Sequence, residues 1–261
     1  MTGPPQESVV LVHGLGSSGS FWENLLPGLS ARFRVETPDL PGHGPGAVRP
    51  TMAQAHPREL GAALMEQLRS AGIDRPHLVG LSLGGWVVLE MAALGYGRSV
   101  VALAPAGLWV EGQRIAAERW TSFLRHGLPV VEPTLPFLTG LPPVKKLVLH
   151  SLVRQPDRVS DDQLLAAAIA LGQAKGYRTC DRAAVRNRFT GAAKLEVPTT
   201  VAFGDDDRIL PPATSQNRAL LPPSAGFTIV ERCGHAMSWD RPDACLELID
   251  RTATQARLTS S

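Results

Sequence analysis

The sequence predicts an α/β fold in which an open, mostly parallel sheet of about six strands carries helices on both faces and one inserted helical segment. Three observations indicate this architecture. Short apolar runs alternate with helical patterns, several of those runs end in loops rich in glycine and proline, and a long middle stretch contains no strand-like run. Continuous apolar runs are typical of strands buried on both faces, and strand-helix alternation is typical of a parallel sheet.

The first half of the chain alternates strand and helix four times. Its strands are predicted at residues 8–12, 33–37, 77–81 and 99–103. Ser20 and Glu23 have the spacing of a capping box, which predicts a helix over residues 20–30. A stripe of leucines at helical spacing predicts another helix over residues 57–71, and Gly72 follows it as a stop signal.

The rhythm changes over residues 107–195, where helical patterns separated by proline and glycine replace the strands. We expect this segment to be a helical cap inserted into a core formed by residues 1–106 and 196–261. Within the cap, one helix is expected over residues 111–126. Another is expected to begin at Ser160, which opens a second capping box.

The alternation returns in the last part of the chain. Strands are predicted at residues 197–203 and 226–231, with a helix over residues 212–220 between them and a final helix from Pro242. With the four earlier strands, these make six.

Composition and charge exclude several function classes. The chain has 261 residues, and its 26 basic and 24 acidic residues are scattered and give a net charge of +2. Neither nucleic acid nor an anionic membrane is therefore an expected partner. The N-terminus lacks a signal-peptide pattern and no apolar run approaches ~18 residues, so we expect a cytoplasmic protein. Three cysteines without C-x-x-C spacing indicate neither a disulfide framework nor a zinc site.

One serine has the surroundings of a nucleophile. The apolar run over residues 77–81 stops at Ser82, Gly80 and Gly84 lie two positions to either side, and a helical pattern follows. A strand, a sharp turn and a helix would push the Ser82 hydroxyl out into a cleft, and glycines permit the close approach of strand and helix. Because a hydroxyl is a weak nucleophile, this interpretation requires a histidine base and an acid from later in the chain.

Both partners are found at the ends of later strands. Ser82, Asp207 and His235 each follow a predicted parallel strand, and the carboxyl ends of such strands share the edge where open α/β sheets bind ligands. The chain order of nucleophile, acid and histidine is that of the α/β-hydrolases. The motifs that match this superfamily are His13-Gly14, residues 39–44, Gly80 to Gly84, Gly204 to Asp207 and Gly234-His235. The sequence thus resembles the capped, esterase-like serine hydrolases of the α/β-hydrolase superfamily.

The resemblance implies a role for each site residue. Ser82 would attack a carbonyl, His235 would take and return its proton, and Asp207 would hold the imidazole. The backbone amides of Leu15 and Leu83 would form the oxyanion hole. The acid of similar hydrolases lies three residues after the loop glycine, which selects Asp207 among three consecutive carboxylates; Asp206 is the second choice, and Asp205 is expected to cap the loop.

The resemblance also bears on the size of the sheet. Members of the superfamily usually have two strands before the one that leads to the His-Gly loop, but only seven residues precede Ser8. We therefore expect six strands, all parallel. The glycines at positions 14, 16 and 19 also fit a dinucleotide-binding motif, but the capping box at Ser20 places the helix start after them, and that fold leaves Ser82 and His235 unexplained.

The predicted function is hydrolysis of a small apolar carboxylic ester, or a thioester, through an acyl-enzyme. No cofactor or metal is predicted. Two alternatives stay open: a carbon-carbon bond hydrolase of a ring-cleavage diketone, and a ligand-binding protein of low turnover. The first is weakened because such enzymes carry Asn and Trp where this chain has Leu81 and Ala236. Three aromatic cap residues are candidates for substrate contact, Trp109, Trp120 and Phe137.

Overall fold

A six-stranded parallel sheet forms the centre of the computed structural model, which describes residues 6–112 and 132–259. The strands are β1 (Ser8–Val12), β2 (Arg34–Glu36), β3 (His77–Leu81), β4 (Ser99–Leu103), β5 (Thr199–Gly204) and β6 (Gly226–Val230). Their spatial order is β2-β1-β3-β4-β5-β6, and every neighbouring pair is parallel. The fold class and the number of strands predicted from the sequence are confirmed.

The central strands are buried on both faces. All residues of β3, β4 and β5 are buried, whereas the edge strands β2 and β6 are partly exposed. The register pairs Val10 with Leu78 and Leu78 with Val100, so the loops that follow β1, β3 and β4 lie side by side at one edge of the sheet. That edge carries the carboxyl ends of the strands, which is where open α/β sheets bind their ligands.

Helices α1 (Leu26–Leu29), α2 (Pro57–Ser70) and α3 (Leu83–Ala93) accompany the first strands. The predicted helix over residues 57–71 corresponds to α2, and its leucine stripe is buried. The predicted helix over residues 20–30 is wrong, because a 3-10 turn and the short α1 replace it. Ser20 caps nothing: its hydroxyl shares a 2.8 Å hydrogen bond with that of Ser18, while the Gly19 N–H donates to Asp39 at 2.8 Å. A long-range loop contact thus replaces the local cap.

The described residues between β4 and β5 form helices and no strand. These are α4 (Leu135–Thr139), α5 (Pro142–Leu149), α6 (Asp161–Gln173) and α7 (Tyr177–Arg186). The second capping box is present, since the Gln163 N–H donates to the Ser160 hydroxyl at 3.1 Å and the Ser160 N–H donates to the Gln163 side chain at 2.8 Å. Most of the helix expected over residues 111–126 lies outside the described residues, and the cap boundaries 107–195 stay a prediction.

The last part of the chain contains α8 (Pro212–Ser215), α9 (Met237–Asp240) and α10 (Pro242–Thr259). The helix predicted over residues 212–220 is shorter, because the Asn217 side chain accepts the Ala219 N–H at 3.1 Å and begins a separate 3-10 turn. Within the described part of the chain, none of the helices combines the length and the apolar character that crossing a bilayer requires.

Candidate active site

The turn between β3 and α3 holds Ser82 in a strained conformation. Its φ of 56° and ψ of −118° lie in a region that residues with a Cβ rarely adopt. A side chain at Gly80 would overlap the carbonyl of Gly84, and one at Gly84 would overlap the carbonyls of Val12 and His13. These two glycines are therefore required for the close contact of β3, α3 and β1. The contact fixes the turn and directs Ser82 to the carboxyl edge of the sheet.

A second loop presents Asp207 to His235. The Asp207 side chain is fully buried, and its Oδ2 lies 2.9 Å from Nδ1 of His235. Its Oδ1 accepts the backbone N–H groups of Ile209 at 3.0 Å and Leu210 at 2.7 Å. An ionised carboxylate only accepts hydrogen bonds, so Nδ1 of His235 carries the proton and Nε2 is the ring atom that can take one.

The other two carboxylates of this loop point elsewhere. Asp205 accepts the Cys233 N–H at 2.9 Å, and this hydrogen bond is the main reason that its pKa lies below the usual range. Asp206 forms ion pairs with Arg154 at 3.0 Å and Arg208 at 2.9 Å. Only Asp207 of the three contacts the histidine.

Ser82 and His235 line the same cavity. It has a volume of about 290 Å³, and Leu15 and Trp239 also line it. The rest of the wall is largely aliphatic and comes from the segment between β4 and β5: Leu135, Leu138, Val144, Val148, Leu149, Leu152, Leu164, Ala167, Ala168 and Leu171. In the described ranges, no Asp, Glu, Lys or Arg side chain lines this cavity. Ser82 and His235 therefore line a cavity whose described wall favours an uncharged apolar ligand.

Leu15 and Leu83, whose backbone amides are predicted to form the oxyanion hole, follow β1 and Ser82 at the carboxyl edge of the sheet. Leu83 is the first residue of α3, so its N–H has no intrahelical acceptor and lies at the positive end of the helix dipole. Leu15 follows β1 and lines the cavity that Ser82 also lines. The loop that holds it is fastened by His13.

His13 is a buried residue that holds two loops together. Its Nε2 accepts the Leu40 N–H at 3.0 Å, which leaves Nδ1 to donate to the Gly14 carbonyl at 2.8 Å. Burial lowers the pKa of His13 to about 4, so the ring is neutral at neutral pH. The ring also packs edge-on against His43 with centroids 5.3 Å apart. His13 therefore joins the loop after β1 to the loop that contains Leu40, and His43 packs against it.

The aromatic residues expected to contact substrate do not line the cavity where they are described. Trp109 is buried against Trp86, and its indole N–H donates to the backbone carbonyls of Ala184 at 3.2 Å and Asn187 at 2.8 Å. Phe137 is 71% exposed. Trp120 lies outside the described residues. The prediction differs from the structure because cores and pockets use the same types of side chain. Residue type alone therefore does not show whether a side chain points into the core or into the cavity.

Sequence reasoning missed most of the residues that do line the cavity. A signal was present in α6, where Leu164, Ala167, Ala168 and Leu171 follow the i, i+3, i+4, i+7 spacing of one helix face. Nothing comparable identifies Trp239, which follows the histidine loop and reaches the cavity through α9.

Comparisons with known proteins agree with this fold. A sequence model of the Alpha/beta hydrolase family matches residues 9–248. The chain is 28% identical over 191 residues to the epoxide hydrolase EphH of Mycobacterium tuberculosis, which covers 70% of this chain and 88% of that protein. It is 26% identical over 249 residues to a 2-hydroxy-6-oxononadienedioate/2-hydroxy-6-oxononatrienedioate hydrolase of Paraburkholderia phymatum, covering 93% and 85% of the two chains.

Solved structures extend the comparison. The enol-lactonase from Burkholderia xenovorans LB400 superposes with a TM-score of 0.73 at 20% identity, covering 96% of this chain and 92% of that chain. At this identity the likeness shows a shared fold. Because the family match spans nearly the whole sheet and the loops that carry Ser82, Asp207 and His235, the chain belongs to the alpha/beta hydrolase family of enzymes.

Proposed function

We propose that the protein is a serine hydrolase that cleaves a carboxylic ester with an uncharged, aliphatic acyl group. The observation that carries this proposal is the buried 2.9 Å hydrogen bond between Asp207 and His235, beside a cavity that His235 and Ser82 both line. A thioester of the same acyl group fits the same chemistry.

The reaction follows from the placement of these groups. The Ser82 oxygen forms a bond to the ester carbonyl carbon while its proton passes to Nε2 of His235. The carbonyl electron pair moves onto oxygen, where the N–H groups of Leu15 and Leu83 stabilise it. When the intermediate collapses, the bond to the alcohol breaks and the alcohol takes the proton from His235. Water then repeats the attack with His235 as base, which releases the acid and restores Ser82.

The cavity supports an apolar acyl group. The cavity has a volume of about 290 Å³, and its described wall is largely aliphatic. A wall without described charged side chains would leave a substrate carboxylate unpaired, and an unpaired buried charge costs several kcal/mol.

This charge argument favours the ester over the main alternative. The name of the Paraburkholderia phymatum relative specifies a dienedioate, a substrate with two carboxylates. A carbon-carbon hydrolase of that kind stays the second candidate because of the 26% identity over most of the chain. The epoxide hydrolase relative is a weaker guide, since such enzymes resemble this chain but use an aspartate where it has Ser82.

A panel of p-nitrophenyl esters tests the proposal. We expect turnover of the butyrate and octanoate esters, and at least tenfold lower kcat/KM for a hemisuccinate ester, which adds one carboxylate to an acyl group of similar size. The Ser82→Ala variant should lose at least about 10³-fold in kcat, and Ser70→Ala, at the far end of α2, serves as the matched control. Full activity in Ser82→Ala would refute the proposal. Rapid labelling of Ser82 by a fluorophosphonate without turnover of any ester would instead indicate a binding protein.

A further inference from the structure

Asp240 is a fully buried carboxylate outside the predicted triad. It ends α9, five residues after His235, and both of its oxygens accept backbone N–H groups. Oδ2 accepts those of Gly234 and Arg154, each at 2.7 Å, and Oδ1 accepts that of Gln155 at 2.8 Å. Three donors around one carboxylate compensate the cost of burying its charge.

These donors come from two distant parts of the chain. Gly234 directly precedes His235, whereas Arg154 and Gln155 follow α5 in the segment that forms the cavity wall. The two parts meet again nearby, because the Ala236 N–H donates to the Leu152 carbonyl at 2.8 Å and the Arg158 side chain donates to the Asp240 carbonyl at 2.9 Å. Asp240 is therefore the centre of a joint between the histidine loop and the cavity wall.

The joint is packed backbone against backbone. A Cβ at Gly234 would lie 2.8 Å from the Leu152 carbonyl oxygen, 2.9 Å from the Val153 Cα and 3.1 Å from the Arg154 nitrogen. No flexible side chain separates the two segments there, so a displacement of one is transmitted to the other. Leu152 and His235 both line the cavity, as Ser82 does.

We propose that Asp240 is a positioning residue that fixes His235 for proton transfer and, through the same carboxylate, fixes Leu152 in the acyl-binding wall. Reaction rate and acyl-chain selectivity are thereby coupled at one buried group. The proposal rests on the proposed ester hydrolysis, and its test separates the two.

The central variant is Asp240→Asn, which keeps the side-chain shape but replaces one accepting oxygen with an NH₂ group that faces N–H donors. Its matched control is Asp243→Asn, because Asp243 is a largely exposed carboxylate three residues further on, paired with Arg241 at the start of α10. A second variant, Gly234→Ala, keeps the carboxylate and forces the two segments apart. It keeps the proposal falsifiable if Asp240→Asn fails to fold.

The readouts are kcat and KM for p-nitrophenyl butyrate and octanoate, expressed per site titrated with a fluorophosphonate so that unfolded protein does not contribute. We expect Asp240→Asn and Gly234→Ala to lower kcat by about 10- to 100-fold, as a misplacement near 1 Å does, and to change the octanoate-to-butyrate ratio of kcat/KM. Asp243→Asn should match the wild type. Wild-type kcat per titrated site in a folded Asp240→Asn or Gly234→Ala would overturn the proposal, and a lower kcat with an unchanged ratio would overturn the coupling to the wall.

If the wild type turns over no ester, the proposed function fails and a different readout decides about Asp240. Fluorophosphonate labelling of Ser82 depends on the base but not on turnover. A labelling rate about tenfold slower in Asp240→Asn than in Asp243→Asn would support the positioning role, and equal rates would overturn it.

Discussion

His13 should make the stability of the protein depend on pH in a way that one substitution removes. In the folded protein its Nε2 accepts the Leu40 N–H, so the ring must be neutral, and burial lowers its pKa to about 4 from an ordinary value of 6.5. In the unfolded chain the ring takes up a proton near pH 6.5. Between these two pH values the unfolded state binds more protons than the folded state. The contribution of His13 to stability is therefore fully present above pH 6.5 and is lost as the pH falls toward 4.

The size of the effect follows from the two pKa values. A difference of about 2.5 units corresponds to about 3.4 kcal/mol in total, at about 1.36 kcal/mol for each unit. At pH 5 the unfolded histidine is largely protonated and the folded one is not, so about 2 kcal/mol of the contribution from His13 is already lost. That is a large share of the 5–15 kcal/mol typical of a folded domain.

Urea unfolding followed by tryptophan fluorescence measures the effect, since Trp22 and Trp86 are fully buried. The comparison variant is His13→Gln, whose amide oxygen can accept the Leu40 N–H but does not titrate. The unfolding free energy of the wild type should fall by about 2 kcal/mol more than that of the variant between pH 7.5 and pH 5. His77, whose pKa burial also lowers, contributes equally to both proteins. Parallel pH profiles of the two proteins would refute the reasoning.

Three further predictions concern the turn at Ser82, the carboxylate of Asp207 and the wall of the cavity. Gly84→Ala should abolish folding or lower the free energy of unfolding by about 4 kcal/mol or more, because its Cβ would overlap backbone carbonyls. Gly72→Ala has open space around it and should lower the free energy of unfolding by only about 1 kcal/mol, because of its positive φ. Urea unfolding measures both. Asp207→Asn should lower kcat by about 10⁴-fold without loss of fold, measured per folded molecule, because the amide favours the wrong tautomer of His235. Ala168→Leu should lower kcat/KM for octanoate at least tenfold more than for butyrate, because the added atoms shorten the cavity.

The sheet and the position of the site could be predicted because both follow from topology. A strand that is apolar at five consecutive positions removes its side chains from water only when both of its faces are buried. Parallel strands also bring their carboxyl ends to one edge of the sheet. Ser82, Asp207 and His235 were assigned to that edge from their position after strands, without knowledge of any contact. The structure brings all three to that edge and joins two of them by a hydrogen bond.

The local failures have a different physical origin. The Ser20–Glu23 pattern has the correct spacing for a capping box, but Gly19 donates its N–H to Asp39, twenty residues away, and the chain turns there instead. The same limit applies to Trp109, whose indole N–H is satisfied by backbone carbonyls in the core. Both outcomes depend on contacts distant in sequence, which local patterns do not contain. The contacts of the Asp240 carboxylate were not predicted for the same reason, since two of its three donors, the backbone N–H groups of Arg154 and Gln155, lie more than eighty residues away in the chain.

The two halves of the site differ in how firmly the fold holds them. Every residue of α3, which follows Ser82, is buried, and strands on both sides support the turn at Ser82. In α5, by contrast, Leu149 alone is buried, although Val144 and Val148 also line the cavity. Substitutions in α5 therefore remove little buried surface, and they alter the cavity without disturbing the turn at Ser82. Such a division allows the shape of the cavity to change at little cost in stability, except at the Asp240 joint, where one carboxylate accepts N–H groups from both the histidine loop and the segment that forms the wall.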